Sequence, residues 1–340
     1  MSLDLDTFLV TVYCQIDDLY QAHFAGHKPR RPGPAVHLSD SEVLCLMVLA
    51  QWEAHRSERA FLRYVRQHWS SYFPRLLSQS AFNRRARDLW GVLCQLAPTL
   101  AQSWTLPASE CETYAVLDGV PVPLMRCCRG RQHRLFAGEA NLGRGGSDKA
   151  WYYGIKLLSV VSPQRGITGF VYGPANTEER WLAEALFRWR ADAYATAPTA
   201  AQLARVLGPA HRRHGQRYGP SGPLCSPLAV GAHTTLPYVA DLGFEGQAWM
   251  RHWREHYGAQ VLTQAAYACA QGRRWLSGLR QCVETTFAAL TSTFGLTFPR
   301  ARTSWGLLTR IAAKIAAFNL ALYINHCFDR AALAFFNPLA

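Results

Sequence analysis

Apolar residues recur at helical spacing through the first third of the chain. Beyond about residue 105 they gather into short runs of the kind that form strands. Residues 1–105 are accordingly expected to be helical. Leu38-Ser39-Asp-Ser-Glu42-Val43 holds a capping box, Ser39 with Glu42, and a staple pair, Leu38 with Val43. The helix it opens continues through Leu44, Met47, Val48 and Trp52. A second helix is expected from Ser57 through Phe61, Tyr64, Val65 and Trp69. A third starts at Ser78 or Ser80 and runs through Phe82, Ala86, Leu89, Leu93 and Leu96, with Arg84, Arg85 and Arg87 on an exposed face. The proline-rich basic stretch His27 to Pro34 is expected to lack regular structure.

Further on, Tyr114 to Leu117 reads as a short strand and Tyr152 to Val161 as a longer one. Gly166 to Gly173 makes a third, joined to the second by the turn Ser162 to Gly166, so the strands predict an antiparallel meander. Pro174-Ala-Asn-Thr177 caps a helix from Glu178 through Trp181, Leu182, Leu186 and Trp189. Residues 206–232 are rich in Gly, Pro, His and Arg and read as a long surface loop or a DNA-contacting insertion. A strand at Leu236 to Ala240, a helix at Phe244 to His256, a strand at Ala259 to Thr263, a helix around Glu284 and an apolar helix at Leu307 to Cys327 follow. The fold class this order predicts is α/β, a mixed sheet flanked by helices. The expected divisions are 1–105, 106–330 and a tail at 331–340.

Charge changes the picture more than size does. The formal net charge is +13, and only four of the 36 basic residues are lysine. A polyanionic partner is favoured, and arginine suits bidentate contact with phosphate. At 49% hydrophobic and 12% aromatic, the chain does not have the composition of extended disorder. Its ten cysteines form no C-x-x-C pair, which points to a reducing, cytoplasmic setting. A zinc site at Cys127, Cys128 and His133 lacks a second ligand pair at the usual spacing. Asp4 and Asp6 sit where a signal peptide needs basic residues. The stretch Ile311 to Ile324, broken by Lys314 and Asn319, is too short to span a bilayer.

The candidate chemistry lies in three acidic segments, Tyr114-Ala-Val-Leu-Asp118-Gly119, Tyr238-Val-Ala-Asp241-Leu-Gly-Phe244 and Arg280-Gln-Cys-Val-Glu284-Thr-Thr-Phe287. The first two place an aspartate at the tip of a buried strand, where the chain must turn. The third places a glutamate on the rim of an apolar helix face. Two strand-end aspartates and a helical glutamate are what a two-metal phosphoryl-transfer site requires, because hard divalent ions prefer carboxylate oxygens. Glu245 and the pair Glu178-Glu179 compete for the third place.

With these segments the chain resembles a bacterial insertion-sequence transposase of the DDE type, whose catalytic domain has the RNase H-like, retroviral-integrase-like fold. The likeness extends to the front-end segment Ser78-Gln-Ser-Ala-Phe82-Asn-Arg-Arg85-Ala-Arg87. It implies Asp118, Asp241 and Glu284 as catalytic and metal-binding residues, two Mg2+ ions replaceable by Mn2+, and Arg280 of a Tyr-Arg-Glu-Lys signature. That signature's Tyr and Lys positions hold Ser277 and Thr291. The resemblance further implies cleavage of transposon-end DNA, attack of the freed 3′-hydroxyl on target DNA, and a homodimer on double-stranded DNA. Arg84, Arg85, Arg87, Lys156 and Arg280 are the expected DNA-contacting residues. Two alternatives stand beside it: a nuclease of the same fold that cuts without joining, and a non-catalytic DNA-binding protein derived from a transposase.

Overall fold

The computed structural model describes residues 3–27, 37–52, 57–104, 114–125, 136–145, 150–195, 224–225, 236–266 and 270–336. Five helices come first: α1 Leu5–His23, α2 Asp40–Leu49, α3 Glu58–His68, α4 Gln79–Asp88 and α5 Trp90–Gln102. The expected caps are present. Ser39 accepts from the Glu42 amide and Glu42 answers at the Ser39 amide, while Ser57 and Ser78 cap α3 and α4. Replacing Ser39 with Ala removes the hydroxyl half of the box and leaves the backbone amide to donate to Glu42. It is expected to lower stability by about 1 kcal/mol, read as a shift in denaturant midpoint. The third expected helix is in fact two. The backbone leaves helical geometry at Leu89, whose φ of −94° and ψ of 11° turn the chain between α4 and α5. Leu89 is buried, as are Leu93 and Leu96 beyond it, so packing sets this corner and the apolar period continues across it.

Seven strands form one mixed sheet: β1 Ala115–Met125, β2 Asn141–Gly145, β3 Ala150–Val161, β4 Ile167–Pro174, β5 Leu224–Cys225, β6 Tyr238–Ala240 and β7 Val261–Leu262. The order is β5-β4-β3-β1-β6-β7, with β2 on the early part of β3. β1, β3 and β4 are antiparallel as predicted, whereas β6 runs parallel to β1 and β7 parallel to β6. Among the described residues, four further helices follow: α6 Glu179–Ala195, α7 Gln247–Tyr257, α8 Ala270–Ser292 and α9 Ser304–Cys327.

Two expectations need correction here. β1 does not stop at Leu117 but continues to Met125, so Asp118 lies inside the strand. Pro121 and Pro123 are tolerated because the β6 pairing has already ended at Leu117, which leaves that edge of β1 without a ladder partner to disappoint. Within the stretch 206–232, Leu224 and Cys225 form an edge strand against Tyr172 and Val171, and the remainder lies outside the described residues.

The two sheet faces are covered differently. Leu117, Leu158, Val160, Val171, Tyr238 and Ala240 pack under α6 and α7. Val116, Val120, Leu157, Val161, Phe170 and Val239 belong to a larger core that also takes in α8, α9 and the buried faces of α1 to α5. Helices on the N-terminal side of the expected boundary share this core with the sheet, since α5 packs along α9 and against β4. α9 is long and apolar enough to cross a membrane by length and composition, contrary to the reading from residues 311–324, but 89% of that stretch is buried inside the protein. Asn319 shows why it packs as a core helix. Its fully buried amide accepts from Ile167 N at 2.9 Å and donates to Ile167 O at 3.0 Å and Ala97 O at 2.6 Å, joining α9 to β4 and α5.

Candidate active site

The parallel pairing of β1 with β6 ends at Leu117 opposite Ala240. The next residue on each strand is an aspartate. Asp118 and Asp241, remote in sequence, therefore occupy equivalent positions just past the last rung, where the β6 chain breaks away. Asp241 caps a short 3-10 turn, Leu242–Phe244, and accepts from the Gly243 amide. Asp118 accepts from the Gly119 amide at 2.8 Å.

α8 crosses β1 and β6 on the same side as Asp118. Leu276, Arg280, Val283, Phe287 and Leu290 recur at helical spacing, and the four apolar members are buried, so Arg280 is directed inward with them. Its Nη2 lies 3.9 Å from Asp118 Oδ2 and 3.6 Å from Asp241 Oδ2. The helix is held from below as well: Arg165, in the β3–β4 turn, donates to Thr285 Oγ1 and Cys282 O. Glu284 lies one turn beyond Arg280 but on the flank of the buried stripe, and it is exposed.

The other face supplies an acid that the sequence reading set among competitors. Glu179, at the start of α6, stands 3.4 Å through Oε1 from Lys156 Nζ. A Cβ at Gly119 would lie 3.1 Å from Glu179 Oε1. A Cβ at Gly243 would lie 3.1 Å from Glu179 Oε2 and 2.9 Å from Asp241 Oδ1. The carboxylate thus occupies space that side chains at two glycines would fill. Lys156 sits on the central strand β3, 19% exposed, and faces this acid. The second glutamate of Glu178-Glu179 is brought here by the register of β1 and by the turn after Asp241.

Burial, the largest influence, pushes the Asp118 carboxyl up to about 6. The Gly119 amide and Arg280 act against that shift, while Glu179 and Asp241 add to it. Only 16% of the Asp118 side chain is exposed, against 37% for Asp241. Two buried hydroxyls of β3, seven residues apart, lack any partner. Ser159 lies opposite Asp118 in the β1–β3 register and is fully buried, and Tyr152 is 7% exposed and feels the charge of Glu179. Among the described residues, no group of three or more His, Cys, Asp or Glu side chains is already gathered as a metal cluster. What the structure does show is a pair of aspartates converging on one positive charge, the guanidinium of Arg280.

The front-end arginines separate. Arg84 is exposed and Arg87 partly so, with its Nε donating to Asn83 O at 3.3 Å. Arg85 does not share an exposed face. It pairs with Asp40 at 2.5 Å and is 13% exposed, because adjacent positions on a helix point about 100° apart and this one meets α2. The sequence reading missed Arg59, Arg63 and Arg66, exposed at i, i+4 and i+7 along α3. Cys127, Cys128 and His133 lie outside the described residues.

No family model, curated protein or solved structure matches this chain.

Proposed function

We propose that the protein is a DDE-type transposase that cleaves transposon-end DNA and joins it to target DNA with divalent-metal assistance. The observation that carries this reading is the pairing of Asp118 with Asp241 where the β1–β6 ladder ends, with a cation held between them. A mixed sheet flanked by helices and a net charge of +13 support it. The donor set fits hard divalent ions, since both aspartates offer an oxygen toward the same positive charge. When bound, such ions activate water and neutralise charge on the transferring phosphate.

The residues' own part is positional. Asp118 and Asp241 would hold divalent ions at the sheet end, where the chain of β6 has turned aside. Arg280, on a helix packed across both strands, neutralises the two acids in this structure, and with ions bound its guanidinium would be available to a phosphate oxygen one turn from Glu284. Glu284 is the third acid that the resemblance assigns. Its exposure leaves it free to approach once DNA is bound. Arg59, Arg63, Arg66 and Arg84 are the exposed cations of the helical region best suited to phosphate contacts along the duplex.

One observation favours a second reading. A guanidinium between two carboxylates is also what a site would show had it given up its metals, in a DNA-binding protein without catalysis. The experiment that separates them is incubation with Mg2+ or Mn2+, labelled DNA carrying the element's ends and a target plasmid, beside Asp241→Asn and Glu284→Gln variants. The expected result is metal-dependent nicking and joining, lost in both variants. Nicking without joined product supports the nuclease alternative. End-binding with neither reaction overturns the transposase reading in favour of the binding protein.

A further inference from the structure

We infer that Glu179 is a third carboxylate of the metal site, approaching Asp118 and Asp241 from the opposite face of the sheet, with Lys156 holding its charge while the metal is absent. The inference rests on the reading of that site as metal-binding and adds a ligand that the resemblance does not assign.

Three carboxylate oxygens carry the argument. Asp118 uses Oδ1 for the Gly119 amide, and Asp241 uses Oδ1 for the Gly243 amide. Their Oδ2 atoms accept no hydrogen bond among the described residues and meet only the Arg280 guanidinium, at 3.9 and 3.6 Å. Glu179 Oε2 likewise accepts none, and its Oε1 has only the Lys156 ammonium at 3.4 Å. A carboxylate removed from water is costly unless donors or cations satisfy its oxygens. Here each acid keeps one oxygen free of donors, and both lysine and arginine stand slightly beyond hydrogen-bonding distance. Such oxygens suit a cation that coordinates more closely than either side chain does.

The glycines give the second support. Gly119 follows Asp118 and Gly243 follows Asp241 by two residues, and Glu179 fits against the bare backbone of both. Without those two missing side chains, an acid from α6 could not reach past the edge of β1 toward the acids bound on the α8 side. The third support is an unpartnered hydroxyl at this place. Ser159 sits opposite Asp118 and is fully buried. An unmade hydrogen bond inside a protein is expensive, and water in the shell of a bound ion would satisfy it.

An ordinary salt bridge between Glu179 and Lys156 is the bland account of the same contact. It explains Oε1 but not Oε2, nor the glycines on either side. It also predicts that removing Lys156 weakens the site, whereas a metal ligand freed from a competing cation should bind metal better.

Mn2+ binding by the full chain without DNA, followed by the loss of the free-ion EPR signal, tests the inference independently of catalysis. Glu179→Gln is expected to bind Mn2+ about tenfold more weakly or worse, since even outer-shell changes at metal sites cost 10–100-fold. Lys156→Met is expected to bind more tightly than wild type. Thermal unfolding of each variant accompanies the titration. Should Glu179→Gln fail to fold, Lys156→Met decides alone, and unchanged or weaker binding in it overturns the inference. Equal affinity in wild type and folded Glu179→Gln overturns the inference and leaves the metal site to Asp118 and Asp241. No Mn2+ binding by wild type overturns both this inference and the metal-dependent function on which it rests.

Discussion

Asp118→Asn is expected to abolish metal-dependent DNA cleavage and, at the same time, to make the protein harder to unfold at pH 8. On the proposed function, the first effect follows from losing an oxygen that would hold metal, and removal of one charge-stabilising group at such a centre costs about 10²–10³-fold in rate. The second follows from proton linkage. The Asp118 carboxyl ionises near 3.8 in its ordinary state and at about 6 in the folded protein, chiefly because it is buried. Between those values the folded protein keeps a proton that the unfolded chain has released. Stability therefore falls as pH rises from about 4 to about 6 and stays lowered above that. The gap corresponds to about 3 kcal/mol, and a neutral asparagine does not carry it, while Arg280 retains Asp241 as a partner. Urea unfolding of wild type and variant at pH 4 and pH 8 reads the effect. The curves should coincide at pH 4, with the variant more stable at pH 8. Wild-type stability at pH 8 would show that Asp118 is not strained by its own charge. The same protonation competes with metal, so cleavage should weaken as pH drops through about 6.

Asn319→Leu is the substitution expected to damage the fold most. The two side chains have the same number of heavy atoms and the same branching, so the loss is chiefly one of hydrogen bonding. Three bonds disappear, to Ile167 N, Ile167 O and Ala97 O, at a residue with no exposure. Each buried backbone group deprived of its partner costs about 1–3 kcal/mol, so a loss of about 3–5 kcal/mol is expected after partial relaxation. The chemical denaturation midpoint measures it directly. A cost below about 1 kcal/mol would mean that water or a local shift replaces the amide.

The two aspartates were legible because each sits in a short window whose pattern, an apolar run followed by Asp and then Gly, is local. Capping gave Ser39 and Ser57 away for the same reason. Glu179 was legible only as one of several competing acids, since its place here depends on two glycines on other segments and on the β1–β6 register. Arg85 was misread because spacing locates a side chain on its own helix and is silent about the neighbour that it meets, here Asp40 on α2. β2 escaped notice because Asn141-Leu-Gly-Arg-Gly145 has almost no apolar alternation, and its pairing with β3 is imposed by tertiary contact. The corner at Leu89 has neither Gly nor Pro to announce it.

The continuity of the larger core has a consequence for how this chain can be divided. Phe8 on α1, Leu96 on α5, Phe170 on β4 and Phe318 on α9 are fully buried members of one apolar body. A cut near residue 105 would lay bare the side of α9 that α5 covers and leave the front helices without their floor. Neither half is then a module that recombination could shuffle onto another protein, and change in one must be accommodated by the other. Front end and sheet are bound to descend together, as one heritable unit.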